Sequence, residues 1–118
     1  MEKQKLEVAF FKTDRGNMPV RDWLKALSKE SKKIIGEDVK TVQENFPIGM
    51  PLVRSMEKNL WEIRTHLDNK SEVRIFFTIY QHFMILLHAI VKKSQKTPKR
   101  DLDLARKRRD KFLREEEK

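Results

Sequence analysis

Apolar residues change their period three times along this chain, and the changes mark its elements. Alternation in Lys5-Leu6-Glu7-Val8-Ala9-Phe10-Phe11 predicts a first strand. After a turn at Asp14-Arg15-Gly16-Asn17, Pro19 signals a helix start, because proline at the first helical position gives up a donor that has no partner there. Val20, Trp23, Leu24 and Leu27 then recur at helical spacing on one face. Polar Ser28 to Ser31 interrupts the pattern and offers Ser31 as the cap of a second helix, whose apolar side is Ile35, Val39, Val42 and Phe46. Two prolines and a glycine in Pro47-Ile48-Gly49-Met50-Pro51 end that helix and predict a loop crossing one end of a sheet.

From Leu60 the period becomes two. Trp61, Ile63 and Thr65 point one way, and Leu60, Glu62, Arg64 and His66 the other. Asp68-Asn69-Lys70-Ser71 has hairpin-turn composition, and Val73, Ile75, Phe77 and Ile79 then alternate against Arg74, Phe76, Thr78 and Tyr80. Trp61 and Ile63 should join Val73 to Ile79 beneath the helices, which leaves Arg64 and Arg74 together on the opposite, open face. A one-residue slip would undo that placement. Phe83 to Val91 is apolar at both parities, as expected of an interior strand covered on both sides, with Lys92 and Lys93 at its end. Gln95-Lys96-Thr97-Pro98 leads into a last helix with a thin stripe of Leu102, Ala105, Phe112 and Leu113. The order β-α-α-β-β-β-α describes a single small α+β domain over residues 1–118: a mostly antiparallel sheet, two N-terminal helices on one face, and a basic C-terminal helix.

Charge sharpens this picture once it is located. Of the net +9, a surplus of seven lies between Lys92 and Lys111, where ten basic side chains meet three acidic ones. A basic segment beside a sheet is the footprint of a binder of nucleic acid or acidic protein, although a solvated helix kept for solubility has the same composition. With no cysteine, disulfides, thiolate metal sites and a catalytic thiol are excluded, in keeping with a reducing cytoplasm. The longest apolar run is too short to span a bilayer and the N-terminus has no signal-peptide character, so a cytoplasmic protein with no membrane partner is expected.

The candidate chemistry is cationic. No His or carboxylate pair has ligand spacing on one element, no glycine-rich phosphate loop is present, and no serine elbow occurs, so neither metal nor cofactor is expected. A cluster of cations suits cleavage of RNA, where the 2′-hydroxyl is the nucleophile and the protein supplies a base, an acid and positive charge. Arg64 and Arg74 could hold the phosphate with planar forks of donors. Lys92, Lys93 and Lys96 could lower one another's pKa by repulsion, which would let a lysine act as base. His66 and His88 are alternative proton carriers. Each has a plainer reading: Arg64 as the ion-pair partner of Glu62, His88 as a hydrogen-bonded core histidine.

Leu60-Trp61-Glu62-Ile63-Arg64, Val73-Arg74-Ile75 and Leu86-Leu87-His88-Ala89-Ile90-Val91-Lys92-Lys93-Ser94-Gln95-Lys96-Thr97-Pro98, with Ala105 and Arg108 in the closing helix, resemble HigB-like toxins of the RelE/ParE superfamily, in the branch with phage-derived homologues. The resemblance covers nearly the whole chain. It implies a type II toxin that cleaves mRNA in the ribosomal A site without metal, contacting mRNA and ribosomal RNA, and is neutralised by a helix-turn-helix, HigA-like antitoxin. By position it matches Arg74 to the strand arginine implicated in phosphate binding, Arg64 to the arginine of the preceding strand, and Lys92 or Lys93 to the basic residue ending the last core strand. RelE-type members carry lysines where this chain has Leu60 and Glu62, and a tyrosine where it has Ser94 to Arg100. The resemblance therefore implies no particular general base or acid, and Lys96, His66 and His88 stand as substitutes. On the same fold, a ParE-like gyrase inhibitor and a non-catalytic phage accessory protein are the alternative functions.

Overall fold

A computed structural model describes residues 5–68, 70–92 and 96–117. In chain order the elements are β1 (Glu7–Phe10), α1 (Pro19–Lys25), α2 (Lys29–Asn45), β2 (Val53–Glu57), β3 (Leu60–His66), β4 (Glu72–Tyr80), β5 (Phe83–Lys92) and α3 (Lys99–Glu116). The α+β class and the expected elements hold, with one addition, so that the order is β-α-α-β-β-β-β-α. The strands form one sheet in the order β1-β5-β4-β3-β2, in which only the β1–β5 pair is parallel. As expected of a strand apolar at both parities, β5 is interior to the sheet.

The added strand, β2, went unread because its pattern is broken. Val53 and Ser55 pair with Ile63 and Trp61, but a register shift between Ser55 and Glu57 turns Met56 out of the alternation. Arg54 and Ser55 are exposed, as charge and polarity on an edge strand should be. The turn to β3 is only Lys58-Asn59, and Asn59 takes φ of 60°, a left-handed conformation that asparagine tolerates better than most residues. A second correction concerns α2. Its cap is Ser28, not Ser31: the Ser28 hydroxyl accepts the Ser31 backbone N–H at 3.1 Å, so the helix starts three residues earlier than expected.

On one sheet face, Val20 of α1 and Ile35, Val39 and Val42 of α2 pack on Ile63, Val73, Ile75 and Phe77, as the alternation predicts. Phe46 stands edge-on to Trp61 at 5.3 Å, and Trp61 stacks on Phe77 at 5.7 Å. The opposite face departs from expectation, because it is not open. Ala105 is fully buried there and, with Leu102 and Phe112, seats α3 on Leu60, Phe76, Ile85 and Leu87. A register shift in the β4–β5 pair lets one strand serve both layers: Phe76 faces His88 while Phe77 faces Leu86, so the faces of β5 exchange around Leu87.

Polar clamps fix α3 where its apolar stripe is thin. Arg106 Nε and Arg109 Nη1 donate to Glu57 Oε1 and Oε2 at 2.7 and 2.6 Å, and Lys111 Nζ lies 2.7 Å from Asp14 Oδ1. The Arg109 hydrogen bond first, then Arg106, holds the Glu57 carboxyl below its ordinary 4.5. A carboxylate with a depressed folded pKa contributes stability above its unfolded value and loses it as pH falls through the folded one. Glu57→Gln should therefore cost about 1 kcal/mol at neutral pH, as fits a partly exposed charge-assisted pair. Denaturant titrations should show that deficit shrinking toward zero as the pH is lowered below 4.5.

Candidate functional site

The strand register assembles the candidate site at one end of the sheet. Arg64 of β3 lies directly opposite Arg74 of β4, and Glu72 lies between His66 on one side and Lys92 on the other. Glu62 is on the same face, two residues before Arg64. Two arginines facing each other across a strand pair repel, and like charges so placed destabilise a sheet. Here carboxylates separate them. Arg64 Nε donates to Glu62 Oε1 at 2.7 Å, and Arg74 Nε donates to Glu72 Oε1 at 2.9 Å. Thr97, just ahead of α3, completes the set: its hydroxyl accepts from Arg74 Nη1 at 2.6 Å and donates to Glu62 Oε2 at 2.9 Å. It bridges a direct Arg74–Glu62 approach of 4.0 Å.

The cluster is nearly dry. Glu62 and Arg74 are 0% exposed and Lys92 is 7% exposed. Among the described residues its charges are uneven: the three cations Arg64, Arg74 and Lys92 meet the two carboxylates Glu62 and Glu72. Two cationic donors are left over: Arg64 Nη2 and Lys92 Nζ are buried with no hydrogen-bond partner among the described residues. Burial chiefly, and then repulsion from Arg74, pushes the Lys92 amine below the usual lysine range, with Glu62 and Glu72 opposing the shift only in part. Unsatisfied buried cations cost stability, so their presence calls for a reason outside folding.

The remaining expected residues are placed unevenly. Lys93 lies outside the described residues. Lys96 is exposed and adjoins Thr97. His66 stands at the rim, its Nδ1 3.5 Å from Glu72 Oε2, with 79% of its side chain exposed. His88 is four residues before Lys92 on β5, where its Nε2 lies 2.8 Å from Asp101 Oδ1 and its ring stacks on Phe76 at 6.0 Å. The structure thus gathers Arg64, Arg74 and Lys92, puts His66 at their edge and sets His88 apart. Residue-by-residue reading missed Glu72 and Thr97 as members of the cluster. The register could have found Glu72, which falls opposite Lys92; Thr97 becomes visible only once α3 is docked.

The basic helix is also less free than its composition suggests. Arg106, Arg109 and Lys111 are engaged with acids of this chain. Lys99, Arg100 and Lys107 are exposed and, like Lys96, make no ion pair among the described residues. A cleft of about 350 Å³ lies elsewhere, between the helical hairpin and β1; it is apolar, lined by residues such as Phe10, Leu24 and Ile35, and contains none of these charges. No helix among the described residues is long and apolar enough to cross a membrane.

A small sheet with helices on both faces and a partly unsatisfied cation cluster at its strand ends defines the class of domain. Residues 22–110, from within α1 to well into α3, match the model of the family described as phage derived protein Gp49-like (DUF891), and the chain belongs to that family. It is a family of RelE/HigB-like toxins, and membership implies an antitoxin partner. No curated protein matches the chain.

The Lys92 shift makes a stability prediction. Because the folded pKa is below the unfolded one, the unfolded chain holds more protons between the two values, and stability should rise with pH across that interval. Lys92→Met keeps the length and removes the charge. Denaturant titrations from neutral to alkaline pH should find the variant at least as stable as wild type at neutrality, with the rise flattened.

Proposed function

We propose that this protein is a HigB-like toxin that arrests translation by cleaving mRNA in the ribosomal A site. The observation that carries the reading is the pair of buried, unsatisfied donors, Arg64 Nη2 and Lys92 Nζ, within a cation-rich cluster. Family membership supports it, since a toxin of this class has to act on an anionic target or on a protein.

In this reading Arg64 stays charged and grips a non-bridging phosphate oxygen. Lys92, its pKa lowered by burial and by Arg74, takes the proton of the 2′-hydroxyl. The 2′-oxygen attacks phosphorus, the bond to the 5′-oxygen breaks, and that oxygen leaves with a proton that we assign to Lys96. The products are a 2′,3′-cyclic phosphate and a 5′-hydroxyl. Arg74 is fully buried among Glu72, Thr97 and Glu62, so we give it the task of holding Glu62 and the start of α3 in place. Lys93, on the resemblance, adds charge beside Lys92; His66 at the rim and His88 beyond it are outside the proton path. Exposed Lys96, Lys99, Arg100 and Lys107 face ribosomal RNA, and the antitoxin is the expected neutralising partner.

Expression in a bacterium with primer-extension mapping of mRNA ends tests the proposal. Arg64→Gln and Lys92→Met should each fold and lose about 10²–10³-fold in cleavage, the usual cost of removing one transition-state charge contact. Arg74→Ala is the poorer probe, because stranding Glu62 and Glu72 should cost about 3–5 kcal/mol of stability. Intact mRNA together with blocked supercoiling in a gyrase assay would replace this reading with the gyrase-inhibitor one.

A further inference from the structure

Arg108 is the arginine of α3 that lies partly buried without a carboxylate. Arg106 and Arg109 pair with Glu57 and Lys111 pairs with Asp14. Arg108 instead donates from Nη1 to the Leu87 carbonyl at 2.8 Å and lies over the Phe11 ring at 5.6 Å. It makes no ion pair among the described residues. Burial alone pushes its pKa down, so this guanidinium is desolvated without compensation from an acid.

It stands at the mouth of a cleft. Strand β1 pairs with β5 only as far as Leu86, so beyond that residue no described strand covers the outer edge of β5. There α1 and α3 flank a space of about 170 Å³ walled by Pro19, Val20, Trp23, His88, Ala89 and Arg108. That volume is well below the roughly 300–1,000 Å³ of pockets for drug-sized ligands, and suits one small planar group. Trp23 is half-buried and supplies an indole. His88 is fixed in orientation by Phe76, on which its ring stacks, and by Asp101, whose Oδ1 lies 2.8 Å from Nε2.

We propose that this cleft receives one nucleotide of the single-stranded RNA substrate, its base against Trp23 and its phosphate on Arg108, with His88 as a hydrogen-bonding wall. The proposal rests on the ribonuclease reading above and adds to it a subsite for a base. An aromatic ring beside an uncompensated cation is the combination by which proteins hold single strands. Placement supports the same conclusion. His88 and Lys92 face the same side of the sheet, opposite Phe76 and Glu72, and lie four residues apart on β5, roughly 13 Å at the usual rise. Arg108, held on the Leu87 carbonyl next to His88, and Lys92 therefore mark two cationic positions along β5, as a chain of phosphates requires.

The test uses ribosomes programmed with a mixed-sequence mRNA, full-length wild type, and the variants Trp23→Leu, Trp23→Tyr, Arg108→Gln and Arg108→Lys, with cleavage positions and rates read together. Trp23→Leu and Arg108→Gln should each lower kcat/KM about tenfold, mostly through KM, and flatten the base preference at the same single nucleotide position. Trp23→Tyr and Arg108→Lys, which keep ring and charge, should retain most of the preference and serve as the folded controls. If wild type cleaves and the variants cleave with its base preference, or if Tyr and Leu at residue 23 lose equally, the cleft is scaffold and the proposal is overturned while the ribonuclease reading stands. If wild type cleaves nothing, that reading falls and the subsite falls with it.

Discussion

Glu62 is the group on which the rest of the candidate site depends. Antiparallel pairing of β3 and β4 forces Arg64 and Arg74 to face each other, at a Cβ separation that in such pairs is about 4.5–5.5 Å. No sheet would keep that arrangement in a dry layer without an anion between the guanidinium groups. Glu62, completely buried, gives one oxygen to Arg64 and the other to Thr97, which in turn holds Arg74. The hydroxyl of Thr97 thereby ties the entry of α3 to the arginines. Docking of the last helix and geometry of the cations are one constraint.

That coupling explains which parts of the molecule are legible from residues alone. The facing of Arg64 and Arg74 follows from the period-two alternation and a correctly spaced turn, and the helix-covered core from the same alternation on the other side. Features that need a third element are not legible in this way. The α3 stripe is thin, Ala105 being its one fully buried member, so nothing in its periodicity says that it covers the second sheet face instead of leaving it open. Strand β2 is hidden by a bulge that breaks its alternation, and the Ser28 cap by a neighbouring serine of equal intrinsic merit. Arginines that look like ligands waiting for an anion prove to be partly satisfied by carboxylates from the same two strands.

Partial satisfaction is the informative state. If the cluster served only to hold the sheet together, its donors and acceptors would match, as they nearly do at Glu57, where one carboxylate takes up Arg106 and Arg109 through its two oxygens. Around Glu62 and Glu72 they do not match. Arg64 and Lys92 each keep a buried donor without a partner among the described residues, and the lysine is pushed toward its neutral form by the burial that makes it expensive. A buried polar group left unpaired costs about 1–3 kcal/mol, which selection for stability alone would remove.

The same division runs along α3. Its arginines and lysines fall into cations that anchor the helix through Glu57 and Asp14, cations that face outward, and Arg108, which does neither. A helix kept basic for solubility would not spend three of its charges on internal carboxylates, and a helix kept basic only for docking on the sheet would not leave Lys99 and Arg100 exposed beside a cluster that is already cation-rich. Anchoring fixes the position of α3, and with it the positions of Thr97 and Arg108. Thr97 meets Arg74 and Glu62 while Arg108 meets the Leu87 carbonyl of β5, so the internal ion pairs determine where the helix touches both places.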